Sequence, residues 1–151
     1  MPDAIAASSR CVLAGSITLF ILSSHVLAAI AQTNRIYNPI PMTPGKSVTD
    51  KLTKSDIPTG QGGFARDYVV QLQGGNQLAI DLISDNFDTL VYLIANDGTT
   101  IAENDDGPDG STNSLLFTRI AKTGTYYIRV RSFGEVAGGN FTLKVTLLKP
   151  Q

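Results

Sequence analysis

Residues 123–133, TGTYYIRVRSF, put Tyr126, Ile128 and Val130 at alternate positions, with Tyr127, Arg129 and Arg131 between them. Successive side chains on an extended chain point to opposite faces, so this spacing is that of a strand with one face buried and one face wet. The same period recurs on either side. Phe141, Leu143, Val145 and Leu147 alternate with Thr142, Lys144 and Thr146; Leu78, Ile80 and Leu82 alternate with Ala79 and Asp81; Tyr68, Val70 and Leu72 alternate with Asp67, Val69 and Gln71. Leu90–Ile94, LVYLI, is apolar throughout and predicts a central strand covered on both faces. Turn residues punctuate these runs at short intervals, among them Gly74-Gly75-Asn76, Asn96-Asp97-Gly98, Lys122-Thr123-Gly124 and Gly138-Gly139-Asn140. Asn-Asp-Gly between two apolar runs is a strong hairpin signal, because Asn, Asp and Gly tolerate positive φ. No helical period of useful length follows residue 46. The reading is all-β: a jelly-roll-like antiparallel β-sandwich of about eight strands, near 47–53, 66–73, 77–84, 88–96, 99–103, 113–119, 124–133 and 139–148.

Before the strands the composition changes twice. Residues 1–31 contain Arg10 and then the uncharged run Val12–Ala31, which ends in Ala29-Ile30-Ala31 with small residues at the two positions that a signal peptidase reads. This predicts a secretory signal peptide cut before Gln32, and an exported chain, secreted, periplasmic or at the cell surface. Twenty apolar residues can also span a bilayer as an uncleaved anchor, which would be the chain's only membrane contact. Residues 32–46 carry Pro39, Pro41 and Pro44 and read as an extended linker or a loosely docked strap. The β-domain then covers 47–151, an ordinary length for one domain.

The 151 residues hold one cysteine, Cys11, and one histidine, His25, both within 1–31. The chain from Gln32 onward therefore lacks a disulfide framework, a thiol nucleophile, a Ser-His-Asp triad and any His- or Cys-ligated zinc. A formal net charge of −1 gives no basic excess with which to hold nucleic acid. That small net charge conceals a polarised chain. Nine acids and no Lys or Arg lie between Asp67 and Thr118, whereas six bases and one acid follow from Arg119 to the end. Glu103–Asn113, ENDDGPDGSTN, concentrates Asp105, Asp106 and Asp109 among glycines, a donor-rich loop suited to Ca²⁺, which takes about 6–8 oxygen ligands. It is not an EF-hand, since counting from Asp105 puts Gly107 third and Leu116 twelfth. The plainer expectation is a turn whose Asp side chains accept from backbone N–H groups.

A family pattern runs through these same elements. Arg66-Asp67-Tyr68 opens one strand; Asn86-Phe87-Asp88-Thr89-Leu90-Val91-Tyr92-Leu93, Ile101-Ala102-Glu103-Asn104-Asp105-Asp106, Thr123–Val130 and Gly139-Asn140-Phe141-Thr142-Leu143-Lys144-Val145 follow in order. From about Val48 to Leu148 the chain resembles the bacterial pre-peptidase C-terminal domain, to which the collagen-binding domains of collagenases are related. The resemblance implies a secreted, non-catalytic jelly-roll-like accessory domain of the kind that accompanies secreted peptidases. It also implies Asp67 as a calcium ligand. Two features depart from the collagen-binding relatives: Asn38–Lys46 contains no acid, and Val130-Arg131-Ser132-Phe133 carries one aromatic where they have several, so collagen is not carried over as a ligand.

The expected function is a secreted accessory or binding module that grips a protein or polysaccharide surface, or assists a secreted peptidase in trans. Its expected binding face bears Tyr127, Arg129, Arg131 and Phe133, with Lys144 beside them, because Tyr and Arg are favoured at interfaces. Calcium, through Asp105, Asp106, Asp109 or Asp67, is the expected cofactor. The alternative is a small hydrolase using two carboxylates among Asp85, Asp88, Glu103 and Asp105, which would need a cleft holding them about 5–9.5 Å apart.

Overall fold

The computed structural model describes residues 37–60, 62–134 and 138–148. The apolar run 12–31, its expected cleavage point, Cys11 and His25 lie outside the described residues. Among the described residues no helix is long and apolar enough to cross a membrane.

All eight expected strands form: β2 (Ser47–Leu52), β4 (Phe64–Leu72), β5 (Gln77–Ile83), β6 (Thr89–Ala95), β7 (Thr100–Asn104), β8 (Ser114–Arg119), β9 (Gly124–Ser132) and β10 (Gly139–Leu148). Two two-residue strands join them, β1 (Ile40–Pro41) and β3 (Ile57–Pro58). They pair as two sheets, one in the order β1-β4-β9-β6-β7 with β3 also on β4, the other in the order β2-β10-β5-β8. Every pairing is antiparallel except β1 on β4. β1 belongs to the proline-rich stretch 32–46, and its residues are docked: Ile40 and Pro41 register with Tyr68 and Val69, and the N–H of Met42 donates to the Val69 carbonyl at 2.9 Å. A proline is acceptable there because β1 is an edge with few ladder bonds to give.

The core is what the period-two reading implies. Tyr68, Val91, Leu93, Ile128 and Val130 from one sheet meet Leu78, Ile80, Leu82, Leu143 and Val145 from the other, all with no exposed surface. Burying each such side chain stabilises the fold by about 1.5–3 kcal/mol, the main favourable contribution. Phe141 knits the layers by edge-on contacts with Tyr68 and Phe87, at centroid distances of 6.3 and 6.4 Å.

LVYLI does not lie between two layers. Val91 and Leu93 are buried, but Leu90, Tyr92 and Ile94 are only half covered, since among the described residues no third layer packs over that face. The apolar run reflects a half-shielded outer surface. At the edge of the second sheet, Leu115 is capped by the chain itself: its N–H donates to the Asp106 carbonyl at 3.1 Å and its carbonyl accepts from Asn104 Nδ2 at 2.8 Å. That removes part of an open edge which would otherwise invite another strand.

Candidate functional site

Strand β9 carries the expected face, and its burial alternates as the sequence requires: Tyr126, Ile128 and Val130 inward, Tyr127, Arg129 and Arg131 outward. The antiparallel register sets their neighbours. Arg129 lies between Asp67 on β4 and Tyr92 on β6; Tyr127 lies between Val69 and Ile94; Arg131 lies between Ala65 and Leu90. Phe133, one residue beyond the strand, is exposed and donates its N–H to the Asp88 carbonyl at 2.8 Å. Lys144 is not part of this face. It sits on β10 opposite Asp81, on the outside of the other sheet, so its alternation matches but its layer differs.

Directly opposite placement makes Asp67 and Arg129 a forked ion pair. Arg129 Nε donates to Oδ1 at 2.8 Å and Nη2 to Oδ2 at 2.7 Å. Asp67 is 3% exposed, and Arg129 supplies it with a built-in cation across two carboxylate oxygens. Asp67 thus has its charge offset within the fold by Arg129, with no ion required for that. Asp67 also stands apart from the acidic loop: β9 and β6 lie between its strand and β7, which leads into that loop.

Beside the pair, Arg131 is held differently. Its guanidinium lies 6.0 Å over the Tyr92 ring and Nη2 donates to Thr59 Oγ1 at 3.3 Å. Among the described residues no carboxylate is within ion-pair distance of it. Thr59 belongs to the turn after β3, which folds over the sheet and is closed by Thr59 Oγ1 donating to the Gly62 and Gly63 carbonyls. Ile57, Pro58 and Thr59 thus make one wall, and Tyr92, Thr100 and Arg131 line the remainder, of an open groove of about 450 Å³ on the outer face. Arg129 lines it too, but Tyr127 and Phe133 do not. Among the described residues no Asp or Glu lines the groove, so the four acids of the hydrolase alternative share no cleft there. The groove residues Thr59, Tyr92 and Thr100 were not legible from β9 alone; the signal for them was the Ile57-Pro58 pair followed by a glycine-rich turn, which places a short strand and an overhang at a sheet edge.

The acidic loop is closed by its own bonds. Asp109 Oδ1 accepts from Ser111 Oγ at 2.6 Å and from the Ser111 N–H at 3.1 Å, and these hold its carboxyl below the usual range. Asn104 Nδ2 donates to the Asp106 carbonyl at 2.7 Å. A Cβ on Gly107 would meet Asp109 Oδ1 at 2.8 Å and the Asn113 carbonyl at 3.1 Å, so a side chain there would displace the Asp109 carboxylate from its place in the turn. Asp105 and Asp106 face Asp88 instead: partial burial first, then their two negative charges, push the Asp88 carboxyl up. Among the described residues no group of three or more Asp, Glu, His or Cys side chains is gathered as a metal centre.

A second charged cluster joins the two layers. Arg66 on β4 donates through Nη1 to Asp50 on β2 at 2.6 Å and through Nε to Asp56 at 2.8 Å, and Tyr68 Oη donates to the other Asp50 oxygen at 2.8 Å. Burial pulls the Asp50 carboxyl up, but the bonds from Arg66, Tyr68 and the Lys51 N–H outweigh it and leave it below its ordinary value. Burial and the Asp50 carboxylate together push the Tyr68 hydroxyl far up, so it stays a donor.

Comparison with known proteins places this geometry. Residues 65–132 match the bacterial pre-peptidase C-terminal domain. The pre-peptidase C-terminal domain of a collagenase from Bacillus anthracis shares the fold with a TM-score of 0.57 and 15% identity, over 75% of this chain and 99% of that one. PliG from Aeromonas hydrophila, a periplasmic inhibitor of g-type lysozyme, follows with a TM-score of 0.55 and 13% identity, over 73% of this chain and 96% of that one. No curated protein matches the chain.

Proposed function

From the premise that this chain carries a bacterial pre-peptidase C-terminal domain, we propose that it is an exported, non-catalytic accessory module that binds a protein or polysaccharide surface, or a secreted peptidase in trans, through the outer face of its larger sheet. One observation carries the reading: the groove beside β9, in which Arg131 is held over Tyr92 and tied to Thr59. A pre-oriented cation beside an aromatic ring is a feature favoured at binding surfaces. The absence of thiol and imidazole from Gln32 onward supports a module that grips without turning a substrate over. One fold neighbour is an inhibitor of a lysozyme, which favours a protein as the partner. Calcium enters the proposal only as a counter-ion to Asp88, Asp105 and Asp106.

Retention on insoluble protein and on cell-wall polysaccharide tests the reading. We expect the protein to be held by one of these, and to be released when Thr100→Trp fills the groove or Arg131→Glu reverses its charge. Both positions lie on the groove's outer face, so thermal melts should stay close to the parent. No retention on either material, or retention that both variants leave unchanged, overturns the proposal.

A further inference from the structure

The chemistry of the groove narrows what it takes. We infer that it selects a peptide carrying a carboxylate, with Arg131 as the residue that reads that group. The inference rests on the binding role proposed above.

Three observations lead to it. First, Arg131 is a cation whose charge no described residue neutralises, in contrast with Arg129 two positions earlier, which Asp67 grips with both oxygens. An arginine presents five N–H donors in a planar fork, and Thr59 accepts from only one of its nitrogens. Second, the guanidinium is positioned in advance. The Tyr92 ring on one side and the Thr59 hydroxyl on the other restrict its rotamers, so less entropy is lost when an anion arrives. Third, the rest of the lining suits a peptide better than a sugar chain. Ile57, Pro58 and Ile94 are apolar and would pack against aliphatic side chains. The one aromatic ring, Tyr92, has its face covered by Arg131 and offers no open platform for a pyranose. Of the acids on the same face, Asp67 is already paired with Arg129, and Glu103 stands across the ladder from Tyr92. It would repel an anionic ligand that strayed towards β7 and so helps to keep the carboxylate at the Arg131 end.

A carboxylate can come from an internal Asp or Glu or from a peptide's C-terminus. Three short probes separate these: acetyl-Leu-Glu-Leu-amide, acetyl-Leu-Gln-Leu-amide and acetyl-Leu-Leu with a free C-terminus. Each is titrated into ¹⁵N-labelled full-length protein while backbone amide shifts are followed. The expected result is saturable shifts at Thr59, Tyr92 and Arg131 for at least one carboxylate probe, with the Gln probe at least fivefold weaker. Arg131→Gln should abolish that preference, and Arg131→Lys should keep part of it, because a lysine is a point charge without the fork. Equal binding of the Glu and Gln probes in the groove overturns carboxylate selection and leaves the binding role standing. Shifts that map elsewhere, or none from any probe, overturn the inference itself; the retention experiment above then decides separately whether the groove binds anything.

Discussion

The two acidic regions of this domain handle their charge in opposite ways. At the clasp between the sheets, Asp50 and Asp56 share Arg66, and side-chain exposures of 25, 11 and 22% keep the group largely out of water. At the loop between β7 and β8, Asp105 and Asp106 face Asp88, among the described residues none of the three has an ion-pair partner, and their charges repel. The difference is topological. β4 brings Arg66 against β2 across the sandwich, whereas among the described residues no Lys or Arg makes an ion pair with the acids of the β7–β8 loop. An acid that packs against the other layer acquires a partner, and one at a loop tip meets other acids or water. The lesson extends to the outer face of β9, where Asp67 and Arg129 cancel one another and Arg131 is left to act outward.

The largest effect that would break this contrast is at the clasp. Arg66→Met should lower stability by about 2–3 kcal/mol, somewhat less than a fully buried pair, because two carboxylates and a tyrosine hydroxyl lose their common donor. In a domain of this size that is a fall in melting temperature of roughly 10 °C. Adding Asp50→Asn and Asp56→Asn to Arg66→Met should recover part of it; a single variant that melts like the parent would show that the clasp contributes nothing.

Next comes the response to acid, in which the two regions should have opposite signs. Asp50 has a folded value below its unfolded one near 3.8, so its contribution is fully present above that pH and is lost as pH falls through the folded value. Asp88 has a raised folded value, so the folded state takes up its proton first, and stability from this group increases as pH falls towards 3.8. Melting curves between neutrality and strong acid should therefore fall less steeply below pH ~4 in Asp50→Asn than in the parent. In Asp88→Asn the small gain on mild acidification should disappear.

The smallest effect sharpens the calcium question. Asp88→Asn should raise stability at neutral pH by only about 0.2–0.5 kcal/mol, the size of an exposed charge interaction. Millimolar calcium should raise the melting temperature of the parent by no more than ~1–2 °C, and sodium chloride at matched ionic strength should do the same, as screening requires. A calcium shift well beyond the sodium control, lost in Asp105→Asn, would make the loop a true site.

Much of this molecule was legible before any coordinates. The alternation in Gly124–Ser132 and Gly139–Leu148 gave both the strand type and the buried face, because side-chain direction has a strict period of two and water discriminates between the faces. The same logic misjudged LVYLI: apolar residues on both faces can mean two packed layers or one layer beside a groove, and local pattern does not separate them. It also grouped Lys144 with Arg129, since alternation specifies a face without specifying which sheet bears it.

The amino-acid order on its own determined an all-β sandwich, its strands, its core and a β9 face set with Tyr and Arg, because those depend on burial within a single element. Only the tertiary structure decided which charges meet. Asp67 is 62 positions from Arg129 and Asp50 is 16 from Arg66. Such pairings follow from strand order and register, which arise from the packing of the whole and from no local run of residues. That long-range geometry is what neutralises Arg129 and leaves Arg131 facing the groove.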